Sequence, residues 1–139
     1  MKAEILTEIQ INASPERVWE ILTKTEDYPN WNPFVKSVTG QLKKGEKITV
    51  KLLGMTFKPV VQEVNVNQSF SWIGKLGVKG IFDGHHQFEL APNNAGTLFI
   101  HKEYFNGLLT KWFMRKKADE TKAAFEAMNN ALKLRAESN

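Results

Sequence analysis

Apolar residues in the last third of the chain recur at intervals of three and four: Leu109, Trp112, Phe113, Ala124, Phe125, Met128, Ala131 and Leu132. No glycine or proline interrupts the stretch from Leu108 to about Arg135. The spacing predicts one amphipathic helix of about 26 residues, roughly 39 Å long. A helix of that length is not held by propensity alone and needs a surface on which to bury its stripe.

The preceding chain supplies strands. Residues 3 to 12 alternate, with Ile5, Ile9 and Ile11 on one parity and Glu4, Glu8 and Gln10 on the other, the pattern of a half-buried strand. Asn12-Ala13-Ser14-Pro15 ends it. Ser14 is suited to an N-cap and Pro15 to the first helical position, so a short helix is expected from 15 to about 24, with Val18, Trp19, Ile21 and Leu22 as its apolar face. Residues 25 to 34 hold two prolines and three aromatics, which points to a packed turn or broken short helix. Further strands are predicted at 35–41, 47–53, 56–66, 69–76, 80–91 and 97–106, the last two divided by Pro92-Asn93-Asn94-Ala95-Gly96. One strand, short helices, a run of antiparallel strands and a long helix make an α+β domain spanning 1–139.

Composition narrows the class. Hydrophobic residues make up 42% and charged residues 24% of the 139, as in soluble globular proteins. The chain has no cysteine, which excludes disulfides and thiolate chemistry. No apolar run approaches membrane-spanning length and the N-terminus has no apolar leader core, so a cytoplasmic protein without an integral membrane segment is expected. The net charge of +4 includes no arginine-rich run, and nucleic acid is not an expected partner. Whether the chain is a monomer or a homodimer is open. The sequence implies no cofactor.

Several stretches, in order, carry a family resemblance. Ala13-Ser14-Pro15-Glu16-Arg17-Val18-Trp19, Trp31-Asn32-Pro33-Phe34, the strand from Gly80 to Leu90, Glu103-Tyr104-Phe105-Asn106-Gly107 and the terminal Phe125, Met128, Asn129, Leu132 and Lys133 resemble the SRPBCC superfamily, also called START-like or Bet v 1-like. The similarity is to its polyketide cyclase/dehydrase-like branch and covers essentially the whole chain. It implies the helix-grip fold: a seven-stranded curved antiparallel sheet wrapped around a C-terminal helix, with two short helices after the first strand and a ligand cavity inside. It implies less about activity, since the superfamily hosts carriers, receptors, cyclases and co-chaperones.

Parity gives an independent reading of the lining. In the 80–91 strand Phe82, Gly84, His86, Phe88 and Leu90 share the more apolar face. In the 97–106 strand both faces contain apolar residues, and the family pattern favours Phe99, His101, Glu103 and Phe105 as inward. These assignments bring His86, His101 and Glu103 together beside Trp72 in an apolar hollow. Trp31, Phe34, Trp72, Phe82, Phe88, Phe99, Phe105, Phe113, Phe125 and Met128 are the expected lining. A buried imidazole and carboxylate suit acid–base catalysis by a cofactor-independent cyclase or dehydratase; more often such groups anchor a ligand's polar group or form a satisfied structural pair. The same trio is a metal set on paper only, because no metal motif accompanies it. His85 is expected to face outward. Gly54, Gly74, Gly77 and Gly80 are expected to loosen strand ends near the entrance. Lys111 to Lys117 reads as a helix start with aromatics in the core and charges in water, or as a patch for a membrane surface or acidic partner. The expected role is binding of a small lipid-, polyketide- or steroid-like molecule, with an enzyme or a surface-acting co-chaperone or lipid shuttle as alternatives.

Overall fold

Ser14 and Pro15 end the first strand where the sequence predicts. The computed structural model describes residues 2–75 and 80–138. Strand β1 (Lys2–Ile11) leads to helix α1 (Pro15–Thr23), whose first turn is capped by Ser14: its Oγ accepts the Arg17 N–H at 3.1 Å. A 3₁₀ helix, Thr25–Asn30, follows, with Pro29 inside it and Tyr28 fully buried. Asn32, also buried, then accepts the backbone N–H groups of Phe34 (2.9 Å) and Val35 (2.8 Å) through Oδ1. That Asx-type turn satisfies two buried donors and launches the next strand.

The remaining strands are β2 (Val35–Thr39), β3 (Thr49–Leu52), β4 (Met55–Phe57), β5 (Val60–Asn65), β6 (Ser69–Lys75), β7 (Asp83–Asn93) and β8 (Gly96–Asn106). They form a five-stranded sheet in the order β1-β8-β7-β6-β5 and a three-stranded sheet, β2-β3-β4. A bridge between Lys47 and Val60 and the bond from Ile48 N–H to Pro59 C=O (2.9 Å) connect the two sheets. The expected seven strands are therefore eight, and one division accounts for the difference. Pro59 brings no N–H to a ladder and divides the predicted 56–66 strand into β4 and β5. Leu53 and Gly54 both take positive φ (50° and 74°), a two-residue type I′ turn that folds β4 back on β3. Residues 80–82 are also outside β7: the Gly80 and Ile81 carbonyls accept Leu108 and Leu109 N–H groups instead. Leu76, predicted to end a strand, and Gly77 lie outside the described residues.

The long helix is two. α2 (Thr110–Lys116) and α3 (Ala118–Glu137) meet at Lys117, which has φ −127° and ψ −9°. No proline or glycine causes the break; packing does. Phe113 stacks into a cluster with Phe82 (4.9 Å) and Phe105 (4.6 Å). At about 100° per residue, a straight helix would turn Phe113 roughly 100° away from the buried face of α3. The break lets both segments bury their own apolar residues. Its cost is that Trp112 (49% exposed) and Leu109 (37%) leave the expected stripe and face solvent. On α3, Thr121, Phe125, Met128, Asn129 and Leu132 face the sheet, packing chiefly over β1.

Candidate functional site

Register assembles the site. Trp72 opposes His86, His86 opposes Glu103, and Glu103 opposes Ile5 across β6, β7, β8 and β1. The next row pairs Phe70, Phe88, His101 and Thr7. Residues directly opposite one another share a face, so both rows point at α3, and His86, His101 and Glu103 meet as the parity reading expects. His85 lies on the opposite face, partly buried, with Nδ1 3.4 Å from Gln87 Nε2. Burial lowers its pKa, against an upward pull from Glu103.

The inward polar groups form a chain. His86 Nε2 and His101 Nε2 are 2.7 Å apart, His101 Nδ1 is 2.9 Å from Asn129 Oδ1, and Asn129 Nδ2 donates to Thr7 Oγ1 at 2.9 Å. Thr7 Oγ1 donates to the His101 carbonyl at 2.8 Å. That carbonyl can only accept, so it orients the whole chain. Thr7 spends its one proton there and accepts from the Asn129 amide; Asn129 Oδ1 then accepts from His101 Nδ1–H. His101 is completely buried, and burial, then the neighbouring His86, hold its pKa well below the usual imidazole value. A neutral ring protonated at Nδ1 leaves a lone pair on Nε2, which accepts from His86 Nε2–H. His86 Nδ1 is thus the nitrogen left on the Glu103 side, with Oε1 3.3 Å away. Aromatic rings enclose the pair: Phe125 stacks on His101 at 4.1 Å and 2°, and Phe88 lies 4.7 Å from His86.

The Glu103 end of this chain opens into space. A cavity of about 120 Å³ lies between β6–β8, the β3–β4 hairpin and α2. Glu103, His86 and Gly84 form its polar end; Trp72, Phe34, Phe82, Phe105 and Phe113 are the expected residues that line it. A Cβ on Gly84 would strike Glu103 Oε2, so glycine there makes room for the carboxylate.

The structure departs from the expected lining in five places. Phe88, Phe99, Phe125 and Met128 are buried in a solid half of the interior, where aromatic rings and α3 fill the space, and do not reach the cavity. Trp31 packs edge-on against Tyr28 at 5.3 Å, also away from it. His101 is one step behind the wall and touches it only through His86. The three candidate ligands do not converge on one point either: the histidines meet head to head, and Glu103 approaches the other nitrogen of His86. The sequence pattern does not mark Val50, Leu52, Leu53, Met55 and Phe57 as lining, because nothing in it shows that the stretches 47–53 and 56–66 meet in a tight hairpin at Leu53-Gly54. Gly54 turns that hairpin and Gly74 lines the cavity from β6. Asn129 and Thr7 were also missed. The available signal was their position: each is a polar residue on an otherwise apolar face, which is informative because such groups need partners.

Sheet, paired helices and interior cavity define a helix-grip protein of the SRPBCC class. The family model described as polyketide cyclase / dehydrase and lipid transport matches residues 2–137, and the chain belongs to that family. No curated protein matches it in sequence. Among solved structures, a Mesorhizobium loti protein superposes with a TM-score of 0.78 at 18% identity, covering 99% of this chain and 100% of the other. Ara h 8.0201 gives 0.68 at 12% identity, covering 95% and 98%. DynU16, a protein of the dynemicin biosynthetic locus, gives 0.77 at 14% identity over 97% of this chain and 47% of its own. At these identities the likeness concerns the fold.

Proposed function

We propose that this protein binds a small apolar molecule in the cavity between the β3–β4 hairpin, the large sheet and α2. The observation that carries the reading is the lining: aromatic and aliphatic side chains on nearly every side, with one carboxylate–imidazole pair at one end. Such sites take their affinity from apolar burial and their orientation from the few polar groups. Size restricts the ligand. An apolar cavity of about 150 Å³ accommodates benzene, so about 120 Å³ holds a single ring or a short branched chain. A steroid, polyketide or lipid would place one end inside and extend past Leu53 and Met55, which are 44% and 50% exposed. Native mass spectrometry of untagged protein tests for a resident ligand, and uptake of an apolar fluorescent probe tests the cavity itself. Thr121→Phe, which grows a ring into the cavity from α3, should lower probe uptake by about tenfold. Unchanged uptake in a folded variant would remove the cavity from consideration.

A second reading is supported by the His86–Glu103 contact at the cavity wall. A carboxyl group and an imidazole that hold one proton between them can pass it to or from a bound ligand, as a cyclase or dehydratase requires. Glu103→Gln should then abolish turnover of a ring-forming or dehydrating substrate while the unfolding midpoint is preserved, and His86→Gln should abolish it with a loss of stability from its buried partner His101. Turnover surviving both substitutions would leave only the binding role.

A further inference from the structure

Glu103 has two oxygens in different circumstances. Oε1 faces His86 Nδ1; Oε2 lies over Gly84 at the cavity wall and, among the described residues, has no hydrogen-bond partner. The direction of the chain behind it matters. Because the His101 carbonyl fixes Thr7, Asn129, His101 and His86 in turn, Glu103 is, among the described residues, the neighbour with which His86 Nδ1 can share a proton. The Nδ1–Oε1 contact is attractive with a proton on either atom and repulsive with a proton on neither. In both attractive states Oε2 carries lone pairs only. The Glu103 end of the cavity therefore offers an acceptor, and the hydroxyl on the lining, Thr121, enters from α3 instead. Among the described residues Lys75 is the cation on the lining, and it is exposed at the rim, where water screens it.

We propose that Glu103 Oε2 selects cavity ligands that carry a hydrogen-bond donor, an alcohol, phenol or amine, against matched ketones and carboxylates. The inference rests on the binding role proposed above and names the chemistry of its ligand. A ketone oxygen or a carboxylate would set acceptor against acceptor in an apolar enclosure, where an unmet polar group is most costly. A hydroxyl placed on Oε2 satisfies both partners. Gly84 is the second element of the device, since any side chain there would push Oε2 from its place.

The test uses probes of one ring that differ only in their polar group: toluene, benzyl alcohol, benzylamine, acetophenone and benzoate, titrated into the full chain by NMR. Benzyl alcohol and benzylamine should bind about tenfold tighter than acetophenone or benzoate. Glu103→Leu should erase that preference while leaving toluene binding within about twofold. Gly84→Ala should weaken benzyl alcohol and spare toluene. If toluene binds and the alcohol gains nothing over the ketone, the selection is overturned and the cavity stands. If no probe binds, toluene included, the binding role itself fails and the selection with it.

Discussion

The Nε2 atoms of His86 and His101 lie 2.7 Å apart, so one ring must donate and the other accept. The direction is imposed from 94 residues away, where Thr7 donates to the His101 carbonyl. The consequence is a polar thread through an aromatic core that ends in a single carboxylate at a cavity. Two strand rows and one helix residue hold it, and every contact except the last is buried.

The tautomers follow, and NMR can read them. Long-range imidazole correlations should show His101 protonated at Nδ1 and His86 protonated at Nε2. Asn129→Leu removes the acceptor for His101 Nδ1–H and the donor to Thr7. It should cost about 1–3 kcal/mol of stability, as expected for orphaned buried groups, and release His101 into a mixture of tautomers. An unaltered His101 signal in that variant would show that Asn129 does not set the direction.

Stability should fall on mild acidification. An unfolded histidine titrates near pH 6.5, whereas His101 in the fold stays neutral to lower pH, first because it is buried and then because His86 adjoins it. Below the unfolded value the unfolded chain binds more protons, so stability is complete above about pH 6.5 and drops by up to about 1.4 kcal/mol per pH unit beneath it. The carboxyls of Asp27 and Glu137 are lowered from 3.8 and 4.5, by hydrogen bonds from Asn30 and Lys133 respectively. Their contribution is lost only at more acidic pH, which separates the two windows. Urea midpoints measured from about pH 5 to 7.5 should slope in the wild type and flatten in His101→Gln. His85→Gln is the control, since His85 is shifted the same way but is less buried.

Different parts of this arrangement were legible in the sequence for different reasons. Phe82, His86, Phe88 and Leu90 declare the inner face of β7 because the opposite parity is polar; β8 has apolar residues on both faces, and only the family pattern chose His101 and Glu103. The strand breaks were harder. Leu53-Gly54 is not one of the Asn-Gly or Asp-Gly pairs that announce a type I′ turn, so the hairpin that walls the cavity was hidden. The break at Lys117 was hidden too, because its cause is where Phe113 must pack and not what Lys117 is.

Glycines offer a graded check on the packing. At Gly96, φ is +133° and a Cβ would meet the backbone of Ile11 and Ala13. Neither can withdraw, so Gly96→Ala should destabilise by about 3 kcal/mol, the upper end of local backbone strain. Gly74 sees only Pro59 Cβ at 3.7 Å, an ordinary contact; Gly74→Ala should change stability by no more than about 0.5 kcal/mol. Equal thermal midpoints for the two variants would contradict the backbone described for the β7–β8 hairpin.

Neighbouring aromatics on α2 should behave oppositely. Phe113 is clamped between Phe82 and Phe105, whereas Trp112 is 49% exposed beside Lys111. Phe113→Ala removes a ring from a three-ring cluster and opens the cavity wall, at a cost of about 3 kcal/mol. Trp112→Ala should cost clearly less than Phe113→Ala, because about half of the indole surface stays in water on folding. A straight helix through Lys117 would redistribute these costs, so the pair of midpoints tests the break directly. Vesicle flotation of the same two variants adds a second readout. An exposed indole among lysines is suited to an anionic bilayer surface, and loss of flotation in Trp112→Ala, matched by Lys116→Glu with Lys117→Glu, would show that α2 works at a membrane as well as over the cavity.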